Sequence, residues 1–132
     1  MVTVPKMSTL KSRGFTLIEV LVVMAIAALL LTLALPRYFA QIESAKEVVL
    51  RDNLRLTRQV IVQFYGDHGR YPDSLAELVD KRYLSTLPVD PITGSNETWR
   101  LEPVPEGNKG LIYDLRSGAP GQARDGSSFV QW

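Results

Sequence analysis

Residues 15–35 constrain this chain more than any other feature: in the run FTLIEVLVVMAIAALLLTLAL only Thr16, Glu19 and Thr32 are not apolar. At a rise of about 1.5 Å per residue, a helix of this length spans roughly 30 Å, the thickness of a bilayer's hydrocarbon core. Secretory signal peptides carry apolar regions of only about 7–15 residues, followed by a small-x-small cleavage site. Leu33-Ala34-Leu35-Pro36 matches such a site poorly. The run therefore predicts a membrane-spanning helix. Lys6, Lys11 and Arg13 precede it and Arg37 follows, so the positive-inside rule puts the N-terminus in the cytoplasm and the C-terminal region across the membrane.

Composition matters once the chain is divided at that helix. The 132 residues carry a formal charge of +1, but the first 14 hold three bases and no acid, which leaves 12 bases against 14 acids in the rest. A remainder of −2 argues against a nucleic-acid module, which is normally strongly basic. Arg51, Arg55 and Arg58 form a basic stripe, but Glu43, Glu47 and Asp52 lie close by, so the stripe reads as a salt-bridged face. The absence of cysteine excludes disulfides, thiolate catalysis and Cys-ligated metals. His68 is the single histidine, and Asp67-His68 reads as a helix cap. No nucleophile, phosphate-loop or zinc signature occurs in residues 66–132, so no enzyme is expected.

Pro36 kinks a helix without having to end it, and the helical pattern resumes after it. Ile42, Ala45, Val49, Leu56, Val60 and Phe64 cluster on one stripe, widened by Leu50, Leu54 and Ile61. The expectation is one helix of about fifty residues from Phe15 to Tyr65, stopped by Gly66 and Gly69, with residues 36–65 as its amphipathic half. Ser74-Leu75-Ala76-Glu77 fits a capping box opening a short helix to about Tyr83. Thr98–Val104 and Leu111–Arg116 read as antiparallel strands joined by Pro105-Glu106-Gly107-Asn108, and an irregular tail follows from Ser117. Trp99, Tyr113, Phe129 and Trp132 are expected as core and C-terminal anchors.

Glu19 is the conspicuous residue. A carboxylate within a span costs about 2.5–3.5 kcal/mol on insertion scales and marks function by default. Scission between Gly14 and Phe15 would create an α-amino group one helical turn away, able to pair with Glu19 within one chain or between staggered chains. Lys11-Ser12-Arg13-Gly14-Phe15-Thr16-Leu17-Ile18-Glu19-Val20 resembles the class III signal of type IV pilins and type II secretion pseudopilins. The resemblance implies a leader over 1–14, cut after Gly14 by a prepilin peptidase that N-methylates Phe15. It also implies assembly through Phe15 and Glu19, with Pro36 as the helix-bending proline. The implied fold is α+β and pilin-like: a long N-terminal helix, transmembrane over 15–35, packed on a small antiparallel sheet within a periplasmic domain of residues 36–132, with an irregular C-terminal loop.

Leu87-Pro88-Val89-Asp90-Pro91 and the Gly-rich tail ending in Trp132 look like the G-type major pseudopilin. That likeness implies a structural subunit of the type II secretion pseudopilus, held in the inner membrane until it enters a periplasm-spanning filament that drives protein export. The implied partners are further copies of the chain, the peptidase, the inner-membrane assembly platform, minor pseudopilins and lipid, without nucleic acid. The alternative within the same architecture is a type IV pilin serving adhesion, motility or DNA uptake. The G-type family ties its C-terminal loop with calcium, and the resemblance nominates Asp114, Ser117 and Asp125 as side-chain ligands. Pro120 stands where that family often has an acid.

Overall fold

The computed structural model describes residues 1–5 and 13–132, so Lys6, Lys11 and Ser12 of the leader lie outside the described residues. Helix α1, Leu17–His68, runs without interruption through Pro36. It is followed by α2 (Leu75–Asp80), β1 (Arg100–Pro103), β2 (Ile112–Arg116) and a single 3-10 turn at Phe129–Gln131. The chain divides into two compact units, Met1–Phe39 and Ala40–Trp132. In the first unit the helix is apolar on all sides, and its side chains are exposed. Thr32, one of its few polar residues, donates its hydroxyl to the Ala28 carbonyl at 2.9 Å, so the side chain is satisfied within the helix.

In the second unit, α1 presents Leu50, Leu54, Thr57, Val60, Ile61 and Phe64 to the core. The expected stripe is thus rotated: Val49 and Leu56 are exposed, as is Ala45. Thr57 takes a place on the buried face because its hydroxyl donates to the Asn53 carbonyl at 2.8 Å and so enters the core with its polar atom paired. Letter periodicity gives such a residue no apolar weight. The helix also passes Gly66 and stops at Gly69, whose φ of 66° places it in the left-handed region favoured after a helix end. Its amide still donates to the Tyr65 carbonyl.

Ser74 caps α2 by accepting a hydrogen bond from the Glu77 amide at 3.1 Å. The Glu77 carboxylate reaches the Asp73 amide and Arg70 instead of closing the reciprocal box. The helix ends at Asp80, short of Tyr83, because Arg82 adopts a φ of 63° and the Tyr83 and Leu84 amides fold back onto the Leu78 carbonyl.

Strands β1 and β2 pair antiparallel, Arg100 with Arg116, Leu101 with Leu115 and Glu102 with Asp114. The register then slips so that Pro103 faces Ile112, which leaves Tyr113 as the extra residue of a bulge. Ile112 and Leu115, three apart, can therefore both face the core, where they are buried. The same slip turns Tyr113 outward, 48% exposed, so the expectation that it belongs to the core is corrected. Trp99 and Phe129 are buried as expected, and Trp132 packs against the core's edge.

Candidate functional site

The segment Arg13–Thr16 precedes α1 without regular structure. Gly14 has open space on the side where a Cβ would lie, and the Phe15 side chain is 85% exposed. The Gly14–Phe15 peptide is thus presented in an accessible, non-helical strip immediately before the helix. Glu19 stands in the first turn, where the helix dipole favours a carboxylate. The Thr16 amide donates to Glu19 Oε2 at 3.4 Å, and the Glu19 amide donates to Thr16 Oγ1 at 3.2 Å. This reciprocal pair is a capping box that satisfies two of the donors orphaned at a helix start. Sequence reasoning singled out Glu19 and missed Thr16, although Thr-x-x-Glu is the same signature it used at Ser74. Arg13, Gly14, Phe15 and Glu19 line one open depression, which joins the residues of the expected junction to the carboxylate. Pro36 lies inside α1, nineteen residues beyond its first residue, and withholds an amide donor there.

A second constellation fastens the last residues of the chain. Arg51 forms an ion pair with Asp125 at 2.9 Å, and its guanidinium carbon lies 4.2 Å from the centroid of the Trp132 ring. The Trp132 indole donates to Ser127 Oγ at 2.7 Å. The Ser127 hydroxyl and amide both donate to Asp125, and these bonds, followed by Arg51, hold the Asp125 carboxyl below the usual carboxylate range. Glu47 accepts from the Arg124 amide at 2.9 Å. Arg58 bonds Asp114 Oδ1 at 2.8 Å and the Leu115 carbonyl at 2.9 Å. The arginine stripe is therefore split in use: Arg55 pairs locally with Asp52, Arg51 reaches Asp125 in the C-terminal tail, and Arg58 reaches Asp114 in β2.

The three side chains nominated for calcium have three different partners. Asp114 binds Arg58, Asp125 binds Arg51, and the Ser117 hydroxyl donates to Asp90. Among the described residues no group of three or more His, Asp or Glu side chains is placed to hold a metal ion. Calcium takes an all-oxygen shell of six to eight ligands, and in this arrangement both nominated carboxylates are engaged by guanidinium groups.

Asp90, which entered the sequence reading only as part of the Leu87–Pro91 likeness, has a structural role. It is completely buried, and its carboxylate accepts from the Ile92 amide at 2.8 Å, the Thr93 amide at 3.4 Å and the Ser117 hydroxyl. Asp90 thereby joins its own loop to the end of β2. The local signal was present: an Asp ahead of a Pro-Ile-Thr-Gly turn is the usual acceptor of an Asx turn. Next to this junction, a Cβ on Gly118 would fall 2.0 Å from the Thr98 carbonyl oxygen, so only glycine permits the approach. At the other helix end, Tyr83 donates to Asp67, which raises the Tyr83 pKa, and His68 Nδ1 lies 3.2 Å from the Phe64 carbonyl oxygen of the last turn.

With this geometry in hand, the comparisons with known proteins converge. Residues 9–35 match the prokaryotic N-terminal methylation motif. The chain is 32% identical over 71 residues to the type IV major pilin protein PilE1 of Neisseria gonorrhoeae, a match covering 52% of this chain and 41% of that protein. It is 31% identical over 68 residues to the type IV major pilin protein PilA of Myxococcus xanthus, covering 52% of this chain and 31% of that one. It is also 32% identical over 94 residues to the type II secretion system core protein G of Pseudomonas aeruginosa, covering 59% of this chain and 66% of that protein. The chain thus spans less than half the length of these two pilins. No solved structure matches. With the methylation motif on an apolar N-terminal helix, a small two-stranded antiparallel sheet and these relatives, this chain belongs to the type IV pilin and pseudopilin family. Among the described residues, α1 is the one helix long and apolar enough to cross a membrane.

Proposed function

We propose that this chain is a structural subunit of the type II secretion pseudopilus and not an enzyme. The observation that carries the secretion branch is coverage: the match extends over 66% of the secretion core protein G, against 41% and 31% of the two pilins. In this reading the chain spans the inner membrane once with its N-terminus in the cytoplasm, and residues 36–132 are periplasmic. Prepilin peptidase cuts between Gly14 and Phe15 and methylates the Phe15 amine. That amine, one turn from Glu19, neutralises a carboxylate that is expensive in hydrocarbon, and the same pairing between staggered chains sets the register of a filament built on α1. The assembly platform and the minor pseudopilins are the remaining partners, and the growing filament drives exported proteins outward.

Closure of the C-terminal segment falls to Arg51 in this proposal, while Arg58 ties the preceding strand to α1. An arginine is a permanent cation that bonds a carboxylate in a fixed geometry and stacks on an indole, so the segment is held without calcium or a disulfide.

The experiment follows the full-length chain in cells. Replacing Gly14 with leucine leaves uncut precursor, seen as a slower-migrating band. Glu19→Ala preserves insertion but abolishes filament assembly and export. Ordinary mature protein from the first variant, or normal filaments from the second, refutes the corresponding step. Equal identity to the gonococcal pilin favours a second reading, a type IV pilin. Loss of surface fibres with export intact after gene deletion would select it.

A further inference from the structure

Arg37, Tyr38 and Phe39 take no part in either constellation, yet all three are exposed at the end of the apolar run. Tyr38 is 61% and Phe39 60% exposed, and their rings meet edge-on with centroids 6.0 Å apart. Among the described residues no carboxylate lies within ion-pair distance of Arg37; Glu43 pairs with Lys46.

We propose that Arg37, Tyr38 and Phe39 form a collar that seats in the lipid headgroup layer of the far leaflet and sets the depth of the unassembled subunit. The proposal rests on the membrane-spanning reading of α1. Depth supports it: Arg37 is twenty residues beyond the first residue of α1, about 30 Å along a helix, which is one hydrocarbon thickness. Angular placement separates a lipid layer from a protein partner. At about 100° per residue, Arg37, Tyr38 and Phe39 point in three directions over roughly 200° of the circumference, and Pro36 occupies much of the remaining arc. A neighbouring helix requires apolar residues on one stripe, three or four positions apart. Consecutive residues around the axis suit a plane that the helix pierces. The chemistry also suits that plane, because aromatic rings collect at membrane interfaces and a guanidinium bonds phosphate in a bidentate manner.

The cysteine-free sequence makes a direct test possible. Leu35→Cys and Gln41→Cys are made singly in the full chain, which is inserted in phosphatidylethanolamine–phosphatidylglycerol vesicles with its C-terminal region outside. A membrane-impermeant maleimide then reads the access of each thiol to water. Position 41 is expected to react about tenfold faster than position 35, which lies in hydrocarbon. Combining Arg37→Ala, Tyr38→Ala and Phe39→Ala reduces that ratio about fivefold or more, the scale of one cation at an anionic surface, and Arg37→Lys alone retains most of it. These exposed side chains leave the fold of the variant intact. An unchanged ratio in the triple variant overturns the collar. A ratio that varies with the protein-to-lipid ratio and not with lipid charge overturns it too, by assigning the patch to a second copy of the chain. Equal labelling at both positions without the alanines is a different failure, that of the membrane-spanning reading.

Discussion

Met1–Phe39 and Ala40–Trp132 are joined by one continuous helix and are stabilised by opposite means. In the first unit the apolar side chains of α1 are exposed and contribute nothing to an internal core; backbone hydrogen bonds and the surrounding medium must hold the helix. In the second, Leu50, Leu54, Ile61 and Phe64 are buried against Leu78, Ile112 and Leu115, and the buried polar residues Thr57, Asp90 and Ser117 are each hydrogen-bonded. One helix thus serves two solvents. Apolar residues on every side suit hydrocarbon, while one apolar face suits a water-bounded domain. The difference teaches that the role of a leucine in this chain is set by its unit and not by its secondary structure.

The sharpest way to break this contrast is a pair of truncations measured as thermal melting of the full chain in detergent. Phe64→Ala empties the centre of the core and is expected to cost about 3–5 kcal/mol. Leu29→Ala, on an exposed position of the first unit, leaves the midpoint unchanged; an equal loss from both would erase the distinction. Gly118→Ala comes next. Its methyl would meet the Thr98 carbonyl at 2.0 Å, and backbone displacement on this scale is expected to cost about 1–3 kcal/mol.

Acid sharpens the comparison further. The Arg70 guanidinium, followed by the Asp73 amide, holds the Glu77 carboxyl below its ordinary range, and Ser127 followed by Arg51 does the same for Asp125. A carboxyl with a depressed folded pKa stabilises the fold above its unfolded value of about 4 and ceases to do so as pH falls through the folded pKa. The melting midpoint therefore declines below about pH 4, and Glu77→Gln and Asp125→Asn each flatten that decline. A midpoint independent of pH in this window contradicts the assignment. In the same assay Arg51→Ala lowers the midpoint by less than Phe64→Ala, and EGTA leaves it unchanged; a fall on chelation would restore calcium to the C-terminal segment. The smallest effect is at Arg82, where a left-handed backbone favours glycine, so Arg82→Gly stabilises by up to about 1 kcal/mol.

The long helix was legible because its signals are local. The run 15–35 announces its medium by length alone, and the predicted span to Tyr65 differs from the observed end at His68 only because Gly69, not Gly66, adopts the left-handed turn. The methylation motif of residues 9–35 and the position of Glu19 at the helix start were equally readable from neighbouring letters. Tyr113 was misplaced because a bulge reverses strand parity, and nothing in Ile112-Tyr113-Asp114 announces an unpaired residue. The buried face of α1 was rotated because Thr57 carries no apolar weight until its hydroxyl is seen bonded to Asn53.

The sequence by itself determined the membrane-length helix, the N-terminal methylation motif, the carboxylate in the first turn and the need to secure the tail without cysteine. Only the tertiary structure decided how that tail and the strand before it are secured. Arg51 meets Asp125 across 74 positions, Arg58 meets Asp114 across 56, and Ser117 meets Asp90 across 27. Periodicity reports what each residue prefers within a few turns of its own backbone. It carries no information about which distant charge a guanidinium will find when the chain closes on itself.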